Sequence, residues 1–338
     1  RVLRVGTRLA PGSEALRTAN GEIRVHDGES TRWLLVESRL AVKRRKLLTR
    51  LASEAIESVP APKSGFFLDG DDVDVEGWPR VLKGERVRVL GTPDERELKV
   101  HYEYCEACWP VFRGALNLGE EDAQRLDGWA RGMSVYVFAD MERGNAFLAR
   151  QPGVTERYRE FTKRLAALWI PKRAAVVVKA GVKAARLEAG PKQILGGMGA
   201  TLFDIRGDEG WISEALDHYL VYLITGTRIL SSVTDPESRY GRPRPGLPDV
   251  APRAIDADDW LRRGLALVES DAKPDFFLMV GKNVNDLAIE DVLYAYCIVA
   301  YVIEGRAKSC ADLLHAIGEA KTTDLEPIVQ RHLGFDVA

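Results

Sequence analysis

The chain is predicted to be an α+β protein in which a few strands precede a half built of helices. Three observations carry this expectation. Two apolar, β-branched runs, Ser134 to Ala139 (SVYVFA) and Ala174 to Lys179 (AAVVVK), read as buried strands. Helical spacing with glycine stops marks Trp211 to Ile224, closed by Gly226, and Ile289 to Glu304, closed by Gly305. From residue 257 onward the pattern is helical throughout, an arrangement that segregates helices from a small sheet.

The elements follow in order. Residues 1 to 30 are polar and Gly-rich, with no sustained period. Arg32 to Glu37 (RWLLVE) suits a strand. Leu40, Leu47, Leu48, Leu51 and Ala55 share one helical face, which ends at Val59-Pro60, and the basic run Lys43 to Lys46 within it reads as solvated. The acidic run Asp69 to Glu76 lacks the glycine that a calcium loop places sixth, since that position is Asp74. Strands are expected at Arg86 to Leu90 and Leu98 to Tyr102, around the turn Gly91-Thr92-Pro93-Asp94. Helices follow from residue 103 to Leu116, at Glu120 to Trp129 and at Glu156 to Leu168, and a third strand is expected at Gly199 to Ile205. A Pro-rich loop spans Pro236 to Pro252. Later helices are expected near Ala257 to Ser270, Ala311 to Ala320 and Leu325 to His332. The pattern divides the chain into an N-terminal α+β region, 1–100, and a larger domain, 101–338.

Composition excludes several classes. With 48 basic and 50 acidic residues in 338, the net charge is −2, which supplies no electrostatic footprint for nucleic acid or an anionic membrane. No apolar run approaches the roughly 18 residues that a membrane span needs. Four cysteines leave the compartment open: Cys105 and Cys108 form a CxxC, and Cys297 and Cys310 lie close in sequence, so free thiols, disulfides and redox or metal chemistry all stay open. A zinc ribbon is excluded because it needs a second CxxC. The chain starts at Arg1 without Met, as a removed leader or a trimmed end would give, and an extracytoplasmic location is compatible with the former. Gly190 to Gly199 (GPKQILGGMG) lacks the spacing of a phosphate-binding loop, and no GxSxG nucleophile elbow occurs.

One series of segments carries chemical information. It begins with Glu214-Ala-Leu-Asp217-His218-Tyr219-Leu-Val-Tyr222 and continues with Trp260-Leu-Arg-Arg263-Gly264-Leu-Ala266. Then come Tyr294-Ala-Tyr-Cys-Ile-Val-Ala-Tyr-Val-Ile-Glu304 and a helix ending Leu333-Gly-Phe-Asp336. Over about residues 130 to 338 this order resembles the peptidase MA-like gluzincins, a bacterial family of thermolysin-like zinc metallopeptidases. The family carries an HExxH helix, then W-L-x-E-G-L-A-x-Y with the third ligand, then Y-A-x-x-W-x-L-V-x-F-L-L-E, and a helix ending L-G-x-D. Two His four residues apart project from one helical face onto zinc, and the intervening Glu polarises the metal-bound water.

The resemblance implies a zincin-like fold with a damaged metal site. The first metal His falls on His218, the general base on Tyr219, the second metal His on Tyr222 and the third ligand on Arg263. Glu214, Asp217 and Trp260 would line the former cleft. No HExxH occurs anywhere in the chain, so no catalytic residue, metal ligand set or cofactor is expected. The implied function is that of a non-catalytic pseudo-peptidase that binds a peptide or protein in the old cleft or acts as scaffold. Two other readings stay open: a hydrolase rebuilt on Glu214, Asp217 and His218, and an unrelated α+β protein.

Overall fold

A computed structural model describes residues 14–17, 23–26, 31–33, 39–65, 81–129, 133–151, 154–163, 165–170, 175–205, 209–227, 257–268, 270, 273–284, 286–305, 307–320 and 325–333. The protein is α+β and mostly helical, with a small mixed sheet. The runs Asp69 to Glu76 and Pro236 to Pro252 lie outside the described residues.

Strands β1 (Glu14–Arg17), β2 (Ile23–His26) and β3 (Thr31–Trp33) form an antiparallel meander. The expected strand Arg32 to Glu37 is therefore described only as far as Trp33. The main sheet has the order β4-β5-β6-β7-β9-β8. Its members are β4 (Lys63–Gly65), β5 (Val81–Lys83), β6 (Val87–Gly91), β7 (Met133–Val137), β8 (Ala167–Trp169) and β9 (Ala175–Val178). Strands β6, β7 and β9 run parallel, and β8 closes one edge antiparallel to β9.

The register puts Val89, Val135 and Val176 in one row and Leu90, Tyr136 and Val177 in the next. Because side chains alternate along a strand, the first row faces the large helical core and the second a smaller cluster with Phe138, Phe147 and Leu168. Burial on both faces explains the unbroken apolar runs that made β7 and β9 legible.

The helices are α1 (Arg39–Glu57), α2 (Glu95–Leu116), α3 (Glu120–Trp129), α4 (Met141–Ala149), α5 (Glu156–Thr162), α6 (Lys183–Phe203) and α7 (Gly210–Thr225). After them come α8 (Ala257–Val268), α9 (Phe276–Val280), α10 (Ile289–Gly305), α11 (Ala307–Ala320) and α12 (Glu326–Leu333). Helix α7 packs on α2, α6 and α10, and α10 also carries α8. Gly264 permits that last contact, since a methyl group there would collide with Cys297 Sγ and the Leu293 carbonyl.

Several expectations are corrected. Leu98 to Tyr102 is the second turn of α2, not a strand. Asp94 caps the helix by accepting from the Glu97 N–H at 2.8 Å, and Leu98, Tyr102, Cys105, Trp109 and Phe112 form its buried stripe. Gly199 to Ile205 is not a strand either, because α6 runs through to Phe203. The helix expected over Glu156 to Leu168 stops at Thr162, and Ala167 already belongs to β8. Helix α2 runs through residue 100, and the main sheet takes strands from both sides of that residue. Leu47 is 44% exposed rather than part of the buried face of α1. The basic run is only partly solvated. Arg45 makes a bidentate pair with Glu304 at 2.8 Å and 2.8 Å, and Arg44 donates to the Gly114 and Ala115 carbonyls.

All four cysteines are free and buried. Cys105 and Cys108 sit in mid-helix rather than at a helix start, so the redox arrangement is not formed. Burial pushes the Cys105 and Cys108 thiols up from their ordinary value, and Cys310 up to about 12. Thiolate is the reactive form, so a thiol reagent is expected to modify none of the four in the folded protein and all four in denaturant. Fast labelling of any of them under native conditions would contradict this packing.

Candidate functional site

The functional candidates converge where α6 crosses α7. Helix α7 begins after a short connection from α6 and ends at Gly226, whose φ of 72° and N–H donation to the Tyr222 carbonyl at 2.9 Å form a left-handed stop. Its buried residues run all round the helix, so its polar groups Glu214, Asp217 and His218 are carried into the interior. Glu214 and His218 lie four residues apart and therefore on one face.

Facing them is a residue that no sequence motif singled out. Lys192 of α6 donates from Nζ to Glu214 Oε1 at 2.8 Å. His218 Nε2 lies 3.2 Å from the same oxygen and 3.4 Å from Lys192 Nζ. If Nε2 carries the proton it donates to Glu214; if it is bare it accepts from Lys192. Relative exposure is 4% for Lys192, 3% for Glu214 and 1% for His218. An ionised pair so far from water persists only when partnered closely, as this one is. A lysine just ahead of the apolar positions Ile194, Leu195 and Met198 was the available signal, hidden by the glycines around it.

The other candidates occupy distinct places. The Trp260 ring of α8 lies 5.1 Å from the His218 ring, centroid to centroid, and meets Tyr296 edge-on at 5.4 Å. Helices α7 and α8 thus meet at that point. Tyr219 points away from His218, donating its hydroxyl to Glu304 Oε1 at 3.0 Å. Burial and the neighbouring Glu304 carboxylate raise its pKa well above the ordinary tyrosine value, which keeps the hydroxyl a donor. Asp217 is buried against Gly196, whose missing side chain makes room for the carboxylate. Tyr222 and Arg263 are half-buried on α7 and α8.

The arrangement thus joins Glu214 and His218 to a cation, and turns Tyr219 into the α10 contact. Among the described residues no group of three or more His, Cys, Asp and Glu side chains is placed to hold a metal ion. Among them, too, no helix is long and apolar enough to cross a membrane. No family model, curated protein or solved structure matches the chain.

Proposed function

We propose that the chain is a metallopeptidase-like protein that does not hydrolyse peptides, with its own ammonium group standing where a gluzincin holds zinc. The observation that carries this reading is the buried contact of Lys192 with Glu214 beside His218.

The pattern W-L-x-E-G-L-A-x-Y fits the chain in two registers. At Trp260 it matches Trp260, Leu261, Gly264, Leu265 and Ala266 and replaces the acid with Arg263. At Trp211 it matches Trp211, Glu214, Leu216 and Tyr219 and keeps the acid. In the first register the surviving metal ligand is His218; in the second it is Glu214. Lys192 lies against both. In the second register the preceding helix, α6, takes the place of the HExxH helix, with Glu188 and Lys192, four residues apart, where the two His would stand.

These residues do not fit a catalytic zinc. Such a site needs three protein ligands and one open position. Here one carboxylate and one imidazole are already engaged by a fixed cation, and a dication beside it would meet like-charge repulsion in a poorly screened interior. A metal-free site rebuilt on Glu214, Asp217 and His218 is disfavoured by access, since at 3%, 7% and 1% exposure none presents a face to a peptide bond. The remaining roles are scaffolding and the binding of a peptide or protein partner.

The test is incubation with a broad peptide library and added zinc, read by mass spectrometry. No cleavage is expected. Chelator-sensitive cleavage that Glu214→Gln abolishes would overturn the reading.

A further inference from the structure

The C-terminal ends of the parallel strands are fastened to one side chain. Arg186, in the first turn of α6, donates from Nη1 to the carbonyls of Ala139, Ala180 and Gly181, which follow β7 and β9. Its Nε donates to Glu97 Oε1 at 2.7 Å, in the first turn of α2, the helix that follows β6. In open α/β sheets this edge is where ligand-binding loops stand. One guanidinium therefore sets how those loops sit.

His101 lies beside this clamp, one turn along α2 from Glu97. It is 0% exposed, and neither ring nitrogen has a hydrogen-bond partner among the described residues. Its Nε2 is 3.8 Å from Glu97 Oε1, the oxygen that Arg186 holds, which is too far for a hydrogen bond. Helix α6 passes close by, since a methyl group on Gly190 would lie 3.9 Å from His101 Nδ1. The charged groups that act on the ring are Glu97 from its own helix and Arg186 and Lys183 from α6, with the exposed Lys183 ammonium 3.6 Å from Glu97 Oε2. Cys105 of α2 and Val178 of β9 border the same contact and bring no charge.

One carboxylate oxygen thus stands between two basic groups, and only the imidazole changes charge near neutral pH. While the ring is neutral, Arg186 keeps Glu97. A protonated ring enclosed away from water needs an acceptor, and the nearest is that same oxygen. We propose that His101 is an acid-operated release for the clamp: on protonation it takes Glu97 from Arg186, and the loops after β7 and β9 come loose together with the first turn of α6. Burial holds the ring's pKa below the ordinary 6.5, so the clamped form excludes the proton and the released form accepts it. The clamp is therefore favoured above pH 6.5, and below it the released population grows about tenfold per pH unit, the slope of one proton. The inference does not depend on the reading of the α6–α7 site.

The test is amide hydrogen exchange of the full chain, read by mass spectrometry from pH 7.5 to 5.0 and corrected for the intrinsic rate. Protection over 139–141 and 180–187 is expected to fall about tenfold between pH 6.5 and 5.5, as one-proton linkage requires, while protection across α10 holds. His101→Phe, which removes no hydrogen bond, is expected to match the natural chain at pH 7.5 and to abolish the fall. His101→Gln, polar but without a titrating group, is expected to do the same. Protection over 180–187 that holds to pH 5.0 in the natural chain would overturn the proposal, with no variant needed. So would an equal fall in either variant, or a fall shared evenly by α10, which is global unfolding.

Discussion

Replacing Arg186 with methionine is expected to destabilise the protein by about 3–5 kcal/mol, the range for stranding one member of a buried ion pair. Arg186 joins α6 to α2 and to the ends of β7 and β9. Its Nε donates to Glu97 Oε1 at 2.7 Å, and Nη1 donates to the carbonyls of Ala139, Ala180 and Gly181 at 3.0, 2.7 and 2.9 Å. Its side chain is 7% exposed and that of Glu97 is 6% exposed, so neither finds water when the other leaves. The loss should appear in urea unfolding as a lower midpoint at constant slope.

A pH signature accompanies this change. Burial alone would raise the Glu97 pKa, but the adjacent His101 and the Arg186 guanidinium override it and hold the carboxyl at about 2. A folded pKa below the unfolded value of 4.5 means stability that is present above pH 4.5 and lost as pH falls toward 2. Arg186→Met should flatten that loss. His101 adds to acid sensitivity higher up. Burial depresses its pKa from 6.5, so the folded state holds it neutral while the unfolded chain takes up a proton below that value.

Lys192→Met is expected to cost a similar amount, about 3–5 kcal/mol, because Glu214 would be left charged and enclosed. The double variant Lys192→Met with Glu214→Leu is expected to recover most of that loss, since an apolar pair of similar size is often no worse than the ion pair. The cycle measures the coupling directly. A single substitution costing under about 0.5 kcal/mol, as surface changes do, would show that the pair is not enclosed.

The sequence made some of this fold legible and concealed the rest for physical reasons. Strands β7 and β9 were readable because burial on both faces leaves five-residue apolar runs, 135–139 and 174–178, with no helical period. Helix α7 was readable because Gly226 supplies its left-handed stop. Leu98, Val100 and Tyr102 alternate like a strand, yet they form part of a 22-residue helix whose stripe continues to Phe112. A window of five residues cannot separate those periods. Helix α6 defeats local propensity altogether. It carries Pro191 in its interior and Gly196, Gly197 and Gly199 near its end, and it is held by packing against α2, α7 and β9.

The site divides in the same way. His218 and Glu214 stood out because their four-residue spacing is a local property. Lys192 did not, because its meaning lies in a contact across 22 positions of chain. The Trp260 ring meets His218, a contact between two helices that no local pattern displays. The Tyr219 hydroxyl serves Glu304 and, through it, Arg45 of α1. A helix of 16 residues presents several faces, and only the partners decide which one holds the site.

The central claim is that the Lys192 ammonium fills the position a gluzincin gives to zinc. Elemental analysis of the untagged protein, purified in zinc-supplemented buffer and freed of loose metal by gel filtration, tests it most directly. The account predicts zinc far below stoichiometric in the natural chain. Stoichiometric zinc that disappears in Glu214→Gln or His218→Ala would contradict it.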